Sequence, residues 1–147
     1  MLCKEFLGLE QSEWDTKILA TDIDTKVLEK AMRGVYAKNS VEQLPQQYVR
    51  RFFKQISQEE YRVKDELKRE VLFRQLNLMN PLPFRKPIHV VFIRNVMIYF
   101  DEPTKERLLR NIYEKMAPGG YLFIGSTESM SQNNTQFQYV KPSIYRK

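Results

Sequence analysis

Three polar clusters in this 147-residue sequence have side chains suited to holding a nucleotide-like ligand. Asp22 stands near the end of the run Lys-Ile-Leu-Ala-Thr-Asp-Ile at 17–23. A carboxylate at such a strand exit can accept both hydroxyls of a ribose. Asn77-Leu78 couples an amide to an apolar side chain, a pair that can hold an adenine by its edge and its face. The run Arg94-Asn95-Val96-Met97-Ile98-Tyr99-Phe100 follows the apolar stretch 89–93. An arginine and an asparagine at the exit of a buried strand are costly unless paired, and Tyr99 adds a hydroxyl to an apolar segment. Each cluster also has an ordinary reading. Asp22 could only assist the cap of the next helix, Asn77 could be a turn asparagine, and 94–100 could be core with satisfied polar tips.

Other chemistry finds little support. His89 is the single histidine and has no companion at metal-ligand spacing, so no metal site is expected and a structural histidine is. Cys3 has no histidine near it in sequence and is expected to be a buried thiol. Gly119-Gly120 lacks the GxGxxG spacing and reads as a helix stop. Ser126 and Ser129 have no nucleophile-elbow context.

The elements that must position these clusters follow from periodicity. Residues 1–9 read as the end of an amphipathic helix with no cap before it, which predicts a chain cut from something longer. Residues 17–23 read as a short buried strand. Asp24 and Thr25 supply capping groups for a helix with Val27, Leu28, Ala31 and Met32 on one face, closed by Gly34. A second helix fits 40–53, capped by Ser40, with a Leu44-Tyr48-Phe52 stripe. Strands are expected at 61–63 and 70–78. Pro81, Pro83 and Pro87 mark a loop. The nearly continuous apolar run 89–93 suits a parallel strand covered on both faces. Asp101 and Pro103 open a helix whose buried face carries Leu108, Leu109, Ile112, Tyr113 and Met116. Pro118-Gly119-Gly120 should end it, 121–125 should be a strand, and 137–145 a closing strand or hairpin broken at Pro142. Strands alternating with helices argue for an α/β fold with a mainly parallel sheet.

Composition sets outer bounds. Hydrophobic residues make up 42% and charged residues 29%, the ordinary balance of a globular chain with one core. No apolar run reaches the roughly 18–20 residues that span a bilayer, so direct membrane insertion is not expected. With one cysteine, no intrachain disulfide can form. The expected location is a reducing cytoplasm. The net charge of +6 favours acidic partners, but no run of five or more like charges forms a nucleic-acid arm.

Read together, Ala-Thr-Asp-Ile-Asp at 20–24, Asn-Leu at 77–78, Arg-Asn-Val-Met-Ile-Tyr-Phe-Asp at 94–101 and Ala-Pro-Gly-Gly-Tyr-Leu-Phe-Ile-Gly-Ser-Thr-Glu-Ser at 117–129 resemble the catalytic domain of CheR-type chemotaxis receptor methyltransferases. The resemblance implies a class I, Rossmann-like methyltransferase sheet, S-adenosyl-L-methionine as methyl donor, and methyl ester formation on receptor glutamates. It implies that Asp22 meets the ribose and that Asn77 and Leu78 border the adenine or its ribose. Arg94, Asn95 and Val96 would line the pocket, and Tyr99 would sit beside the methyl acceptor. A small β-subdomain would interrupt the sheet domain at about 52–73. In some members a longer, glycine-bearing hairpin there grips a receptor tail. This chain has no glycine between Val35 and Lys115 and resembles the kind that does not depend on such a tail.

One departure from the family pattern carries its own expectation. The family's N-terminal helical domain and first glycine-bearing strand-turn-helix are not found in these residues. That strand would lie between the strands at 17–23 and 89–93. Two inner sheet edges should then lack a partner, inviting completion in trans by a missing N-terminal half or a second copy. Two other readings compete. One is a non-catalytic interaction or split-gene fragment. The other is a nucleic-acid methyltransferase; amino-methylating enzymes of that type usually carry Asp/Asn-Pro-Pro-aromatic where this chain has Arg94-Asn95-Val96-Met97.

Overall fold

The computed structural model describes residues 1–7, 16–128, 130 and 135–147. They form two compact units, Met1–Asn77 and Leu78–Lys147.

The first unit opens with helix α1 (Leu2–Leu7), strand β1 (Ile18–Asp22) and helix α2 (Thr25–Arg33). The Asp24 side chain accepts the Lys26 N–H at the start of α2, and Gly34 closes it in the left-handed conformation at φ 63°, where glycine carries no Cβ penalty. Of the expected apolar face, Leu28 is buried, but Val27 and Met32 are largely exposed. Strand β2 (Val35–Ala37), helices α3 (Lys38–Val41) and α4 (Gln46–Phe52), and strands β3 (Phe53–Gln55) and β4 (Glu60–Val63) follow. The single helix expected over 40–53 is therefore two helices. Pro45 is the N-cap of α4, and a proline disfavours the helical conformation in the residue before it. Ser40 lies inside α3 rather than at a cap. The Leu44-Tyr48-Phe52 stripe survives as packing around the core of Val41, Val49, Phe52 and Phe53. Each such side chain removed from water contributes about 1.5–3 kcal/mol.

Strands β2, β4 and β3 form a three-stranded antiparallel sheet in that order. It reaches upstream to Val35, beyond the expected 52–73 range. After helix α5 (Asp65–Lys68), strand β5 (Val71–Gln75) leaves this sheet and pairs in parallel with β1, Ile18 opposite Val71 and Asp22 opposite Gln75. Helix α1 is tied down by Lys4 to Glu66 and Glu70, at 3.4 and 3.6 Å, and by the Tyr48 hydroxyl donating to Glu5. That bond pushes the phenol pKa upward. Cys3 is exposed, not buried, on a six-residue helix that buries none of its side chains.

The second unit contains strand β6 (Ile88–Ile93), a 3-10 turn (Met97–Tyr99), helix α6 (Glu102–Lys115), and strands β7 (Met116–Ile124), β8 (Gln138–Lys141) and β9 (Ile144–Arg146). The sheet order is β6-β7-β9-β8, with β6 and β7 parallel and the rest antiparallel. The β8–β9 hairpin turns at Pro142 and at Ser143, which has φ 64°. Asp101 caps α6 by accepting the Thr104 N–H at 3.1 Å; its bonds to Thr104 hold its pKa below the usual carboxylate range. Leu108, Leu109 and Ile112 are buried on α6.

Register puts Val91, Ile93, Leu122, Ile124 and Tyr145 on one face of the sheet, and of these Ile93, Leu122, Ile124 and Tyr145 are buried. The opposite face stays open: Val90 is 48% and Phe92 69% exposed, with Phe92 stacked on Phe123 at 4.7 Å. Coverage of both faces, expected from the apolar run, is thus not met. His89 is exposed as well. Among the described residues, β1 has β5 as its one hydrogen-bonded neighbour, and β6 has β7.

Pro118-Gly119-Gly120 does not stop α6. The helix ends at Lys115, and 116–124 is strand. Lys147 Nζ closes the helix by donating to the carbonyls of Tyr113 and Met116 at 2.6 and 2.7 Å. A cation there also complements the helix dipole. The glycines instead serve a register shift between β6 and β7. A Cβ on Gly120 would lie 2.9 Å from the His89 carbonyl oxygen and 3.0 Å from that of Ala117. Both are backbone atoms and cannot rotate away. Gly120→Ala is predicted to cost about 2 kcal/mol by overpacking, seen as a lower urea midpoint; a midpoint equal to the parent's would refute this reading.

Candidate functional site

The first unit presents Asp22 and Asn77 at the carboxyl end of the β1–β5 pair. Parallel pairing brings both exits to one end of the strands, and the backbone closes them: Leu76 N–H donates to the Asp22 carbonyl at 3.0 Å. Gln75 Nε2 adds a bond to the Ile23 carbonyl at 3.0 Å. Asp22 is half-buried. Its Oδ1 accepts the Asp24 N–H at 2.9 Å, so the helix-entry role is real. Its Oδ2 accepts no hydrogen bond from a described residue, which leaves an acceptor at the exit. Asn77 is half-buried and precedes the turn that begins at Leu78, the first residue of the second unit.

The second unit presents the 94–99 loop at the exit of β6. Arg94 and Asn95 are exposed, so neither carries the burial penalty that made them conspicuous in the sequence. Asn95 has φ 59°, a left-handed conformation that asparagine tolerates better than most residues. Met97 is 2% exposed and plugs the 3-10 turn into the core. Tyr99, two residues later, is 80% exposed and projects from that turn. A purely core role for the cluster is thereby excluded for Tyr99.

One residue of this site escaped the sequence reading. Glu128 is 9% exposed, and its carboxylate is ringed by backbone N–H groups. Oε1 accepts from Val96 at 3.0 Å and Met97 at 2.8 Å. Oε2 accepts from Asn95 at 3.0 Å and Gly125 at 2.6 Å. Desolvation acts to raise the Glu128 pKa, but the four N–H bonds outweigh it and hold the group below its ordinary value. The available signal was an acidic residue just after the Gly125 that follows β7. Nothing in its spacing reveals partners some 30 residues upstream. Ser126 is exposed, and Ser129 lies outside the described residues.

Taken by itself, the first unit offers an acceptor carboxylate and an amide at its strand exits, and the second offers an exposed arginine, asparagine and phenol at the exit of β6. No group of three or more His, Cys, Asp or Glu among the described residues could hold a metal ion. No helix among them is long and apolar enough to cross a membrane.

Residues 1–146 match the family described as CheR methyltransferase, SAM binding domain. The chain is 36% identical over 148 residues to a chemotaxis protein methyltransferase of Borreliella burgdorferi, covering 100% of this chain and 52% of that protein. It is 37% identical over 149 residues to the chemotaxis protein methyltransferase of Escherichia coli K12, covering 99% and 51%. It is 37% identical over 125 residues to chemotaxis protein methyltransferase 2 of Vibrio cholerae, covering 84% and 43%. The chain thus spans about half the length of these relatives. It belongs to the CheR methyltransferase family, whose methyl donor is S-adenosyl-L-methionine.

Proposed function

We propose that this chain forms the cofactor-binding and catalytic portion of a cytoplasmic enzyme that methylates glutamate side chains on chemotaxis receptor helices. The observation that carries the reading is the family match over 1–146, with the strand-exit donor sets falling inside it. Asp22 takes the ribose hydroxyls, Asn77 and Leu78 border the adenine, and Arg94, Asn95 and Val96 line the remainder.

When bound, S-adenosyl-L-methionine supplies an already activated methyl group. The acceptor glutamate has a reference pKa of about 4.3 and is ionised at neutral pH, so no general base is required. The protein's work is alignment, a contribution that can reach about 7–11 kcal/mol. Arg94 can steer an incoming carboxylate through its forked guanidinium. Tight pairing would quench the nucleophile, so the single hydroxyl of Tyr99 is the better contact at the moment of transfer.

A second reading is favoured by the two strands, β1 and β6, that each have one described neighbour. Here the chain acts with a further strand-turn-helix, from the same polypeptide, a separate N-terminal half or a second copy, paired with an open strand edge.

The test is transfer of labelled methyl from S-adenosyl-L-methionine to receptor-bearing membranes, with RNA as control, beside calorimetry with S-adenosylhomocysteine. Base-labile label on receptor and micromolar binding by these 147 residues are expected. Label on RNA would sink the receptor assignment. Absent binding that returns when an N-terminal segment is co-expressed would favour the second reading.

A further inference from the structure

We propose that Glu128 is a positioning residue for the methyl-transfer loop, setting the backbone conformation that presents Arg94, Asn95 and Tyr99. The proposal rests on the assignment of that loop to the active site. Glu128 has no place in the chemistry described above, yet it is a nearly buried carboxylate at the carboxyl ends of β6 and β7.

Its four acceptor bonds account for the loop's shape. A chain leaving β6 at Ile93 would ordinarily continue extended. Here the N–H groups of Asn95, Val96 and Met97 all turn toward one point, where the Glu128 carboxylate sits. Three successive donors converging this way require a conformational reversal, which Asn95 makes at φ 59°. The reversal drops Met97 into the core and starts the 3-10 turn, and the turn throws Tyr99 outward. Gly125 completes the cradle. A Cβ there would lie 2.5 Å from Glu128 Oε2 and 3.1 Å from Asn95 Oδ1, so the carboxylate occupies space that only glycine leaves open. Glu128 is itself pinned at the mouth of β7 by its N–H bond to the Gly125 carbonyl at 3.0 Å.

The division of labour between the two oxygens makes a sharp test. Each takes two N–H groups. In Glu128→Gln, one oxygen becomes an NH2 group, a donor facing two donors. Whichever way the amide flips, half the cradle is lost and one pair of N–H groups is left without an acceptor. The comparison protein is a variant of the buried α6 position Ile112, Ile112→Val, or Leu108→Ala if a larger loss is needed, chosen to match the fall in urea midpoint.

Amide hydrogen exchange is followed at Asn95, Val96, Met97 and Gly125, and S-adenosylhomocysteine is titrated into all three proteins. Exchange at these four amides should accelerate by about tenfold or more in Glu128→Gln relative to the stability-matched variant. Cofactor-product affinity should fall by a similar factor in Glu128→Gln alone. Equal exchange at these amides in the two variants would overturn the proposal, since Glu128 would then only add stability. Faster exchange with affinity equal to the matched variant's would also overturn it. A parent that binds no S-adenosylhomocysteine would instead defeat the functional assignment, leaving the exchange result to decide whether Glu128 sets the loop.

Discussion

Replacing Asp22 with alanine is expected to weaken S-adenosylhomocysteine binding by about a hundredfold or more, the largest single loss at the site. A hydrogen bond to a charged group is worth about 1.5–3 kcal/mol, and a ribose offers two hydroxyls to one carboxylate. The prediction must be separated from the side chain's local duty, because Asp22 Oδ1 also accepts the Asp24 N–H at the entry to α2. Asp22→Asn makes that separation. Its amide oxygen can still accept from Asp24, while the charge and one acceptor are lost. The Asp22→Asn protein should therefore fold as the parent does and bind about tenfold more weakly, with the alanine variant weaker still. Calorimetry gives both affinities, and a urea titration gives the stability of each. An alanine variant with parental affinity would return Asp22 to the role of a helix-entry residue and leave the ribose unassigned.

The placement of the candidate residues was legible because they stand at strand exits, and strand exits follow from apolar runs. The runs at 17–23 and 89–93 became β1 and β6, and the polar residues that end them are where an α/β sheet offers its ligand edge. The helix after Asp101 was legible for a similar reason, with a cap, a proline in the first turn and an apolar stripe agreeing. What failed was what depends on distant backbone. Strands β2 and β3 are three residues each, too short to show alternation, and they exist because β4 pairs with both. The 40–53 segment kept its stripe of Leu44, Tyr48 and Phe52 but not its continuity, because Pro45 starts a new helix inside it. Phe92 looked buried because it is apolar, yet burial needs a covering element, and that face has none among the described residues. Glu128 was invisible for the deepest reason. Its partners are N–H groups, which every residue but proline carries, so no side-chain spacing announces them.

Tyr99→Phe isolates the step of transfer from everything that precedes it. The ring is 80% exposed and its turn is anchored from below by Met97, so removing one oxygen leaves the fold untouched within about 0.5 kcal/mol. Asp22 and Asn77 are unaltered, so S-adenosylhomocysteine affinity should stay at the parent value. Turnover should not. If the hydroxyl donates to the acceptor carboxylate as it is brought to the methyl group, its loss removes a charge-assisted bond of about 1.5–3 kcal/mol, or tenfold to a hundredfold in kcat. The split decides between two roles. A fall in kcat with KM for receptor little changed marks an interaction made in the transition state. A rise in KM at constant kcat marks one spent on holding substrate. A proportionate loss of cofactor affinity and turnover would mean that Tyr99 shapes the pocket and its hydroxyl takes no part in the transfer.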